Sequence, residues 1–160
     1  MNIINSSNKR NPIFADTDRF FLTLDRPPAP NAVAMRRNLQ YNYTLKSVLV
    51  NGPMYCFDQS TGNRLWYVDG VLDNQWLIVE RFSDLPVLVA AAPGVDKNGN
   101  QQNNYKVVVI EKDQGAVRFN QPFTNNGQYF QTLNVDLKNG EINLHRYDTR
   151  LKISPADPAK

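Results

Sequence analysis

The stretch Met54-Tyr55-Cys56-Phe57-Asp58-Gln59-Ser60-Thr61-Gly62-Asn63-Arg64-Leu65-Trp66 decides how this chain is read. An apolar and aromatic run ends at an acid, Asp58, and a short polar segment leads to Gly62. A second apolar run opens at Leu65. An aspartate placed there can accept backbone N–H groups within a turn, and glycine supplies the φ > 0 backbone that closes a tight reversal. The segment is expected to be a β-hairpin that turns from Asp58 to Gly62.

The same punctuation returns twice. Ile110-Glu111-Lys112-Asp113-Gln114-Gly115 leads into Val117-Arg118-Phe119, and Val135-Asp136-Leu137-Lys138-Asn139-Gly140 leads into Ile142-Asn143-Leu144. In each, glycine stands four places after the acid, so hairpins are expected from Glu111 to Gly115 and from Asp136 to Gly140. From residue 41 onward, short runs rich in Val, Ile, Leu and aromatics are bounded by turn residues, at 45–50, 54–57, 65–68, 76–82, 87–92, 105–110, 116–119, 128–135 and 141–147. That pattern predicts strands, and helical spacing is not sustained over any comparable length. Val87-Leu88-Val89 and Val107-Val108-Val109-Ile110 are apolar at consecutive positions, as strands inside a stack of sheets would be. The predicted fold is all-β, built of antiparallel hairpins.

Residues 54–66 resemble the repeat of pyrroloquinoline-quinone-like β-propellers. The blades of that family read Asp-x-x-Thr-Gly-x-x-x-Trp across their third and fourth strands, and Asp58, Thr61, Gly62 and Trp66 fill the four positions. The resemblance implies that Trp66 packs against a neighbouring blade and does not touch a substrate. The other two units match less: Glu111 replaces the aspartate, Gln114 and Asn139 replace the threonine, and Phe119 and Leu144 stand where tryptophan is lacking. Gly62 and Gly115 are 53 residues apart but Gly115 and Gly140 only 25, against the forty to fifty of such blades. The resemblance spans residues 45–153 and implies an incomplete propeller, two or three blades' worth of strands, against the roughly 4–8 blades of a closed ring.

Outside that stretch, residues 1–40 read as a polar, proline-rich segment with one strand at 19–24, residues 41–153 as the β domain, and 154–160 as a tail. Residues 1–18 are rich in Asn and Ser and look loosely structured, Pro27-Pro28-Ala29-Pro30 is a stiff connector, and 32–37 could form a helical turn or two. Hydrophobic residues make up 41% and charged residues 21%, a globular balance. No apolar run approaches the ~20 residues of a membrane span. The first residues lack the order of a signal peptide, so the chain as it stands is expected to be soluble and not exported; cut from a longer precursor, it could be extracytoplasmic. Seven of the 18 Lys and Arg but three of the 15 acids fall in residues 1–50. They are scattered, which favours a solvated surface over a nucleic-acid site.

Chemistry-bearing residues are few. A single cysteine, Cys56, and a single histidine, His145, exclude an intramolecular disulfide and a zinc site of the usual Cys/His kind. Cys56 is expected to be a buried, inert thiol, and His145 an exposed strand residue. Quinone-dependent dehydrogenases share the propeller fold, but they close a full ring round the cofactor and often carry paired cysteines, so neither cofactor nor metal is expected here. Asp96, Asn98 and Asn100 alternate as in some calcium loops, yet Val107 stands where a closing glutamate would be, and a long solvated hairpin loop between 87–92 and 105–110 is the favoured reading. No catalytic residues are assigned. The expected role is a non-catalytic propeller-type scaffold or interaction module, contacting a protein partner or itself through open sheet edges. The alternative is a carbohydrate-binding or carbohydrate-processing domain using Trp66, Tyr67, Trp76, Tyr41 and Tyr43.

Overall fold

The computed structural model describes residues 3–4, 12–27, 45–95, 101–124, 132–136, 141–145 and 150–153. They form thirteen strands and one 3-10 turn: β1 (Ile3–Ile4), β2 (Ile13–Ala15), β3 (Arg19–Thr23), β4 (Ser47–Val50), β5 (Met54–Asp58), β6 (Arg64–Val68), β7 (Gln75–Ile78), the turn Phe82–Asp84, β8 (Val87–Val95), β9 (Gln101–Glu111), β10 (Val117–Thr124), β11 (Thr132–Asp136), β12 (Glu141–His145) and β13 (Arg150–Ile153). The fold is all-β, and every strand pair is antiparallel.

Three sheets result. The first has the order β1-β2-β3-β5-β6, the middle β10-β9-β8-β7-β4, and the third β11-β12-β13. The middle sheet is covered on both sides, which explains its doubly apolar strands. Leu88, Ala90, Val108 and Ile110 join Phe14, Phe21, Met54, Cys56 and Trp66 of the first sheet in one core. The alternate residues Val87, Val89, Ala91, Val107 and Val109 join Leu133, Ile142 and Leu144 of the third sheet in another. Side chains on a strand alternate between faces, so a strand buried on both must be apolar at every position.

The first and middle sheets repeat one plan: an outer short strand, then a four-strand meander. β1 flanks β2-β3-β5-β6 as β4 flanks β7-β8-β9-β10. The flanking strand of the middle sheet comes from between β3 and β5, both in the first sheet. The chain therefore crosses to the middle sheet and back before completing the first, which ties the two together.

Some expectations need correction. Residues 1–40 contribute three strands where one was expected, and β3 pairs with β5 from Arg19↔Asp58 to Thr23↔Met54, so one sheet spans the proposed boundary at residue 40. Burial of Phe14 beside Phe21 anchors this edge, a signal hidden in a polar stretch. The loop expected between 92 and 105 is largely strand, because β8 and β9 stay paired as far as Val95↔Gln101. β10 likewise runs on to Thr124. The helical turns expected at 32–37, the aromatic residues Tyr41 and Tyr43, and the Asp96 to Asn100 stretch lie outside the described residues, as does Gly140. Among the described residues, no helix is long and apolar enough to cross a membrane.

Candidate functional site

The Asp58 turn joins β5 to β6 and is held by one carboxylate oxygen. Asp58 Oδ1 accepts from Ser60 Oγ (2.6 Å), Ser60 N (3.0 Å), Thr61 N (2.7 Å) and Thr61 Oγ1 (2.8 Å). These donors, the Ser60 hydroxyl foremost, pull its pKa down to about 2. The Thr61 hydroxyl accepts in turn from Asn63 N (3.2 Å), and Gly62, at φ +72°, donates its N–H to Asp58 O (2.9 Å).

The Glu111 turn, joining β9 to β10, has the same backbone with different side chains. Gly115, at φ +69°, donates to Glu111 O at 2.9 Å. The acid's own N–H reaches the carbonyl five residues on in both turns, Asp58 to Asn63 and Glu111 to Ala116, each at 2.9 Å. The next N–H reaches the residue before the neighbouring strand, Gln59 to Asp18 O (2.9 Å) and Lys112 to Pro86 O (3.0 Å). A register shift follows in each, passing over Leu65 in one and Arg118 in the other. Glu111, however, turns away to accept from Arg118 Nε at 2.7 Å. The backbone plan thus survives the loss of both the aspartate and the threonine.

These bulges aim the residue that follows. With Leu65 passed over, Trp66 lies opposite Cys56 and faces the middle sheet; with Arg118 passed over, Phe119 lies opposite Val109 and packs toward the third. Trp66 is buried at 7% exposure, and its ring lies on the Glu111 turn. A Cβ at Gly115 would fall 2.7 Å from Trp66 Cδ2 and 2.8 Å from Cε3. The indole Nε1–H donates to Lys112 O at 2.7 Å, which satisfies the one polar atom of a buried ring. Phe21 packs on the ring's other surroundings, at 5.8 Å between centroids. Trp66, Asp58, Thr61 and Gly62 share one hairpin, and Trp66 brings it against Glu111 and Gly115 of the next.

Polar contacts reinforce this junction, and sequence reasoning missed them. Lys112 is almost wholly buried; its Nζ donates to Asp16 Oδ2 (2.7 Å) and to Phe82 O, and lies 4.1 Å from the Phe82 ring centroid. Burial pushes its pKa below that of an ordinary lysine, and the Asp16 hydrogen bond opposes the shift. Arg19 Nη1 pairs with Asp113 Oδ1 at 2.7 Å. The only signal in the sequence was that Lys112 and Asp113 stand where the first turn has Gln59 and Ser60.

Asp136 stands apart. β11 and β12 do pair as expected, with Asp136 opposite Glu141, but no register shift follows. Leu144 therefore falls opposite Leu133 and faces back into the middle sheet, unlike Trp66 and Phe119. Cys56 is fully buried, and burial raises its pKa to about 11. His145 is half-buried, paired with Thr132. Among the described residues no group of three or more His, Cys, Asp or Glu is placed to hold a metal ion. Of the aromatics weighed as a platform, Trp66 points inward, whereas Tyr67 is 57% exposed and stacks on Tyr55 at 5.9 Å. Compared with known protein families, curated proteins and solved structures, the chain matches none.

Proposed function

We propose that the chain is a non-catalytic scaffold of β-propeller type that acts by contact with other protein surfaces. The observation that carries this reading is the junction of Trp66 with the Glu111 turn, which links two sheets of the same plan through a residue pointing from one sheet to the next. Such a unit repeats by stacking, and a sheet at the end of a stack keeps a face that another sheet could cover. The chemistry-bearing residues fit this reading: Cys56 and Lys112 are buried in packing contacts. Light scattering on the full chain over a wide concentration range tests it. Apparent mass should grow with concentration, and a compact monomer throughout would contradict the contact role.

A second reading has one observation in its favour. Tyr55, Tyr67 and Phe57 form an outward row of stacked rings, with the Arg64 guanidinium 5.3 Å from the Tyr67 centroid, an arrangement that also suits a sugar ring. A strong glycan-array signal abolished by Tyr67→Ala would favour it.

A further inference from the structure

We infer that the outer face of the first sheet is a docking site for a β-hairpin carrying a tryptophan, whose indole seats on Gly62 and donates to Gln59 O. The inference rests on the scaffold reading and names the surface and the partner's chemistry. The molecule contains the occupied version of the same site. The Asp58 and Glu111 turns agree in glycine φ, in three backbone hydrogen bonds and in the bulge that follows. At Gly115 an indole ring fills the space beside the glycine and donates to the carbonyl of the residue after the acid, Lys112. At Gly62 nothing among the described residues comes within 4 Å of the same position, and the corresponding carbonyl belongs to Gln59.

The surrounding faces correspond as well. Leu88 opposite Ile110 and Ala90 opposite Val108 are among the residues of the middle sheet that the first sheet covers, with Val50 and Leu77 beside them. Their equivalents in the first sheet, Phe20 opposite Phe57 and Leu22 opposite Tyr55, lie on the face turned away from the core and are only partly buried. The face is therefore as apolar as its covered counterpart. The far side of the third sheet is the opposite: Asn134, Asn143 and Lys152 lie in register across it, with Glu141 paired to Lys152. A polar outer face suits the end of a stack of repeats and an apolar one suits its continuation, so the first sheet offers the side on which a further hairpin fits. Charge narrows the partner further. The occupied junction holds Lys112–Asp16 and Asp113–Arg19 pairs, while Gln59 and Ser60 at the equivalent positions of the first turn are neutral. The partner's contact with this turn is accordingly uncharged.

The test is an NMR titration of the ¹⁵N-labelled full chain with a cyclised peptide spanning residues 54–68, which presents a free Trp66 on its own hairpin. Amide shifts are expected at Gly62, Gln59, Phe57 and Tyr55, and their loss when the peptide carries Trp66→Leu. The protein variant Gly62→Asn keeps a residue that tolerates φ > 0 and fills the seat, so it should retain a folded spectrum and lose the response. No shift around Gly62, or shifts indifferent to either substitution, would overturn the inference. Light scattering separates its failure from that of the scaffold reading. A parent that associates with itself while its Gly62 amides ignore the peptide would refute this site and leave a scaffold role standing, whereas a parent that stays monomeric and ignores the peptide contradicts both.

Discussion

Replacing each of two glycines by alanine separates the backbone cost of the turn from the cost of the junction. Gly62 and Gly115 have φ of +72° and +69°, so the strain of alanine in left-handed backbone is common to both, at about 1–2 kcal/mol. At Gly62 the new methyl meets nothing within 4 Å. At Gly115 it would lie 2.7–2.9 Å from three atoms of the Trp66 ring, so ring or turn must move. Overpacking of this kind adds about 1–3 kcal/mol, and displacing the indole endangers its bond to Lys112 O, worth about 0.5–1.5 kcal/mol more. Gly115→Ala should therefore cost about 2–4 kcal/mol beyond Gly62→Ala, a large part of a total stability of about 5–15 kcal/mol. For a chain of this size that is a further drop in Tm of about 5–15 °C. Thermal unfolding followed by circular dichroism reads the difference. The junction also predicts coupling: with Trp66→Leu in place, the excess cost of Gly115→Ala should vanish. Equal losses at the two glycines, or an excess that survives Trp66→Leu, would show that the indole does not press on Gly115.

Trp66→Ala removes the largest side chain of the junction and should cost about 3–5 kcal/mol, leaving a chain that unfolds early or aggregates; full thermal stability would show the ring is not a packing residue. Asp58, with its pKa held at about 2, contributes stability above the ordinary carboxylate pKa that is lost as pH falls through about 2. Urea midpoints for the parent and Asp58→Asn should accordingly differ at neutral pH and converge between about pH 4 and pH 2; a gap unchanged down to pH 2 would contradict this. Asp16→Asn leaves the buried Lys112 charge without its carboxylate and should cost about 3–5 kcal/mol, most of it recovered when Lys112→Met is added; chemical denaturation of the single and double variants decides. Cys56, buried and with its pKa near 11, should react with a thiol reagent at neutral pH only as fast as the chain unfolds, and rapid labelling of the native protein would place it elsewhere.

The hairpins were legible because their signal is local. An acid, a glycine four places later and apolar flanks specify a turn with little help from the rest of the chain, and β5–β6 and β9–β10 form accordingly. The doubly apolar β8 and β9 announced a sheet covered on both sides. What was hidden depends on distant partners. β2 is three residues long in a polar stretch, and only its pairing with β3 gives Phe14 a place in the core. β4 pairs with β7, across an entire hairpin, and no local feature marks that crossing. The extension of β8 and β9 past Ala92 runs through Pro93, Gly94 and a polar Asn-rich stretch, residues that normally punctuate strands. At the junction, Trp66 was conspicuous as a motif residue, but the burial of Lys112 was not, because a lysine in a turn ordinarily faces water. The third acid–glycine spacing looked equivalent to the others, yet the missing bulge reverses the direction of Leu144. Spacing specified the turn and not the bulge beyond it.

The two turns share one backbone, and among the described residues an indole covers the second and not the first. Glycine Hα chemical shifts measure this directly, since an aromatic ring in contact displaces them through its ring current. Gly115 Hα resonances should be moved well upfield and restored by Trp66→Leu, with those of Gly62 at ordinary values in the isolated chain. Ordinary shifts at Gly115, or a displacement that persists without Trp66, would contradict it.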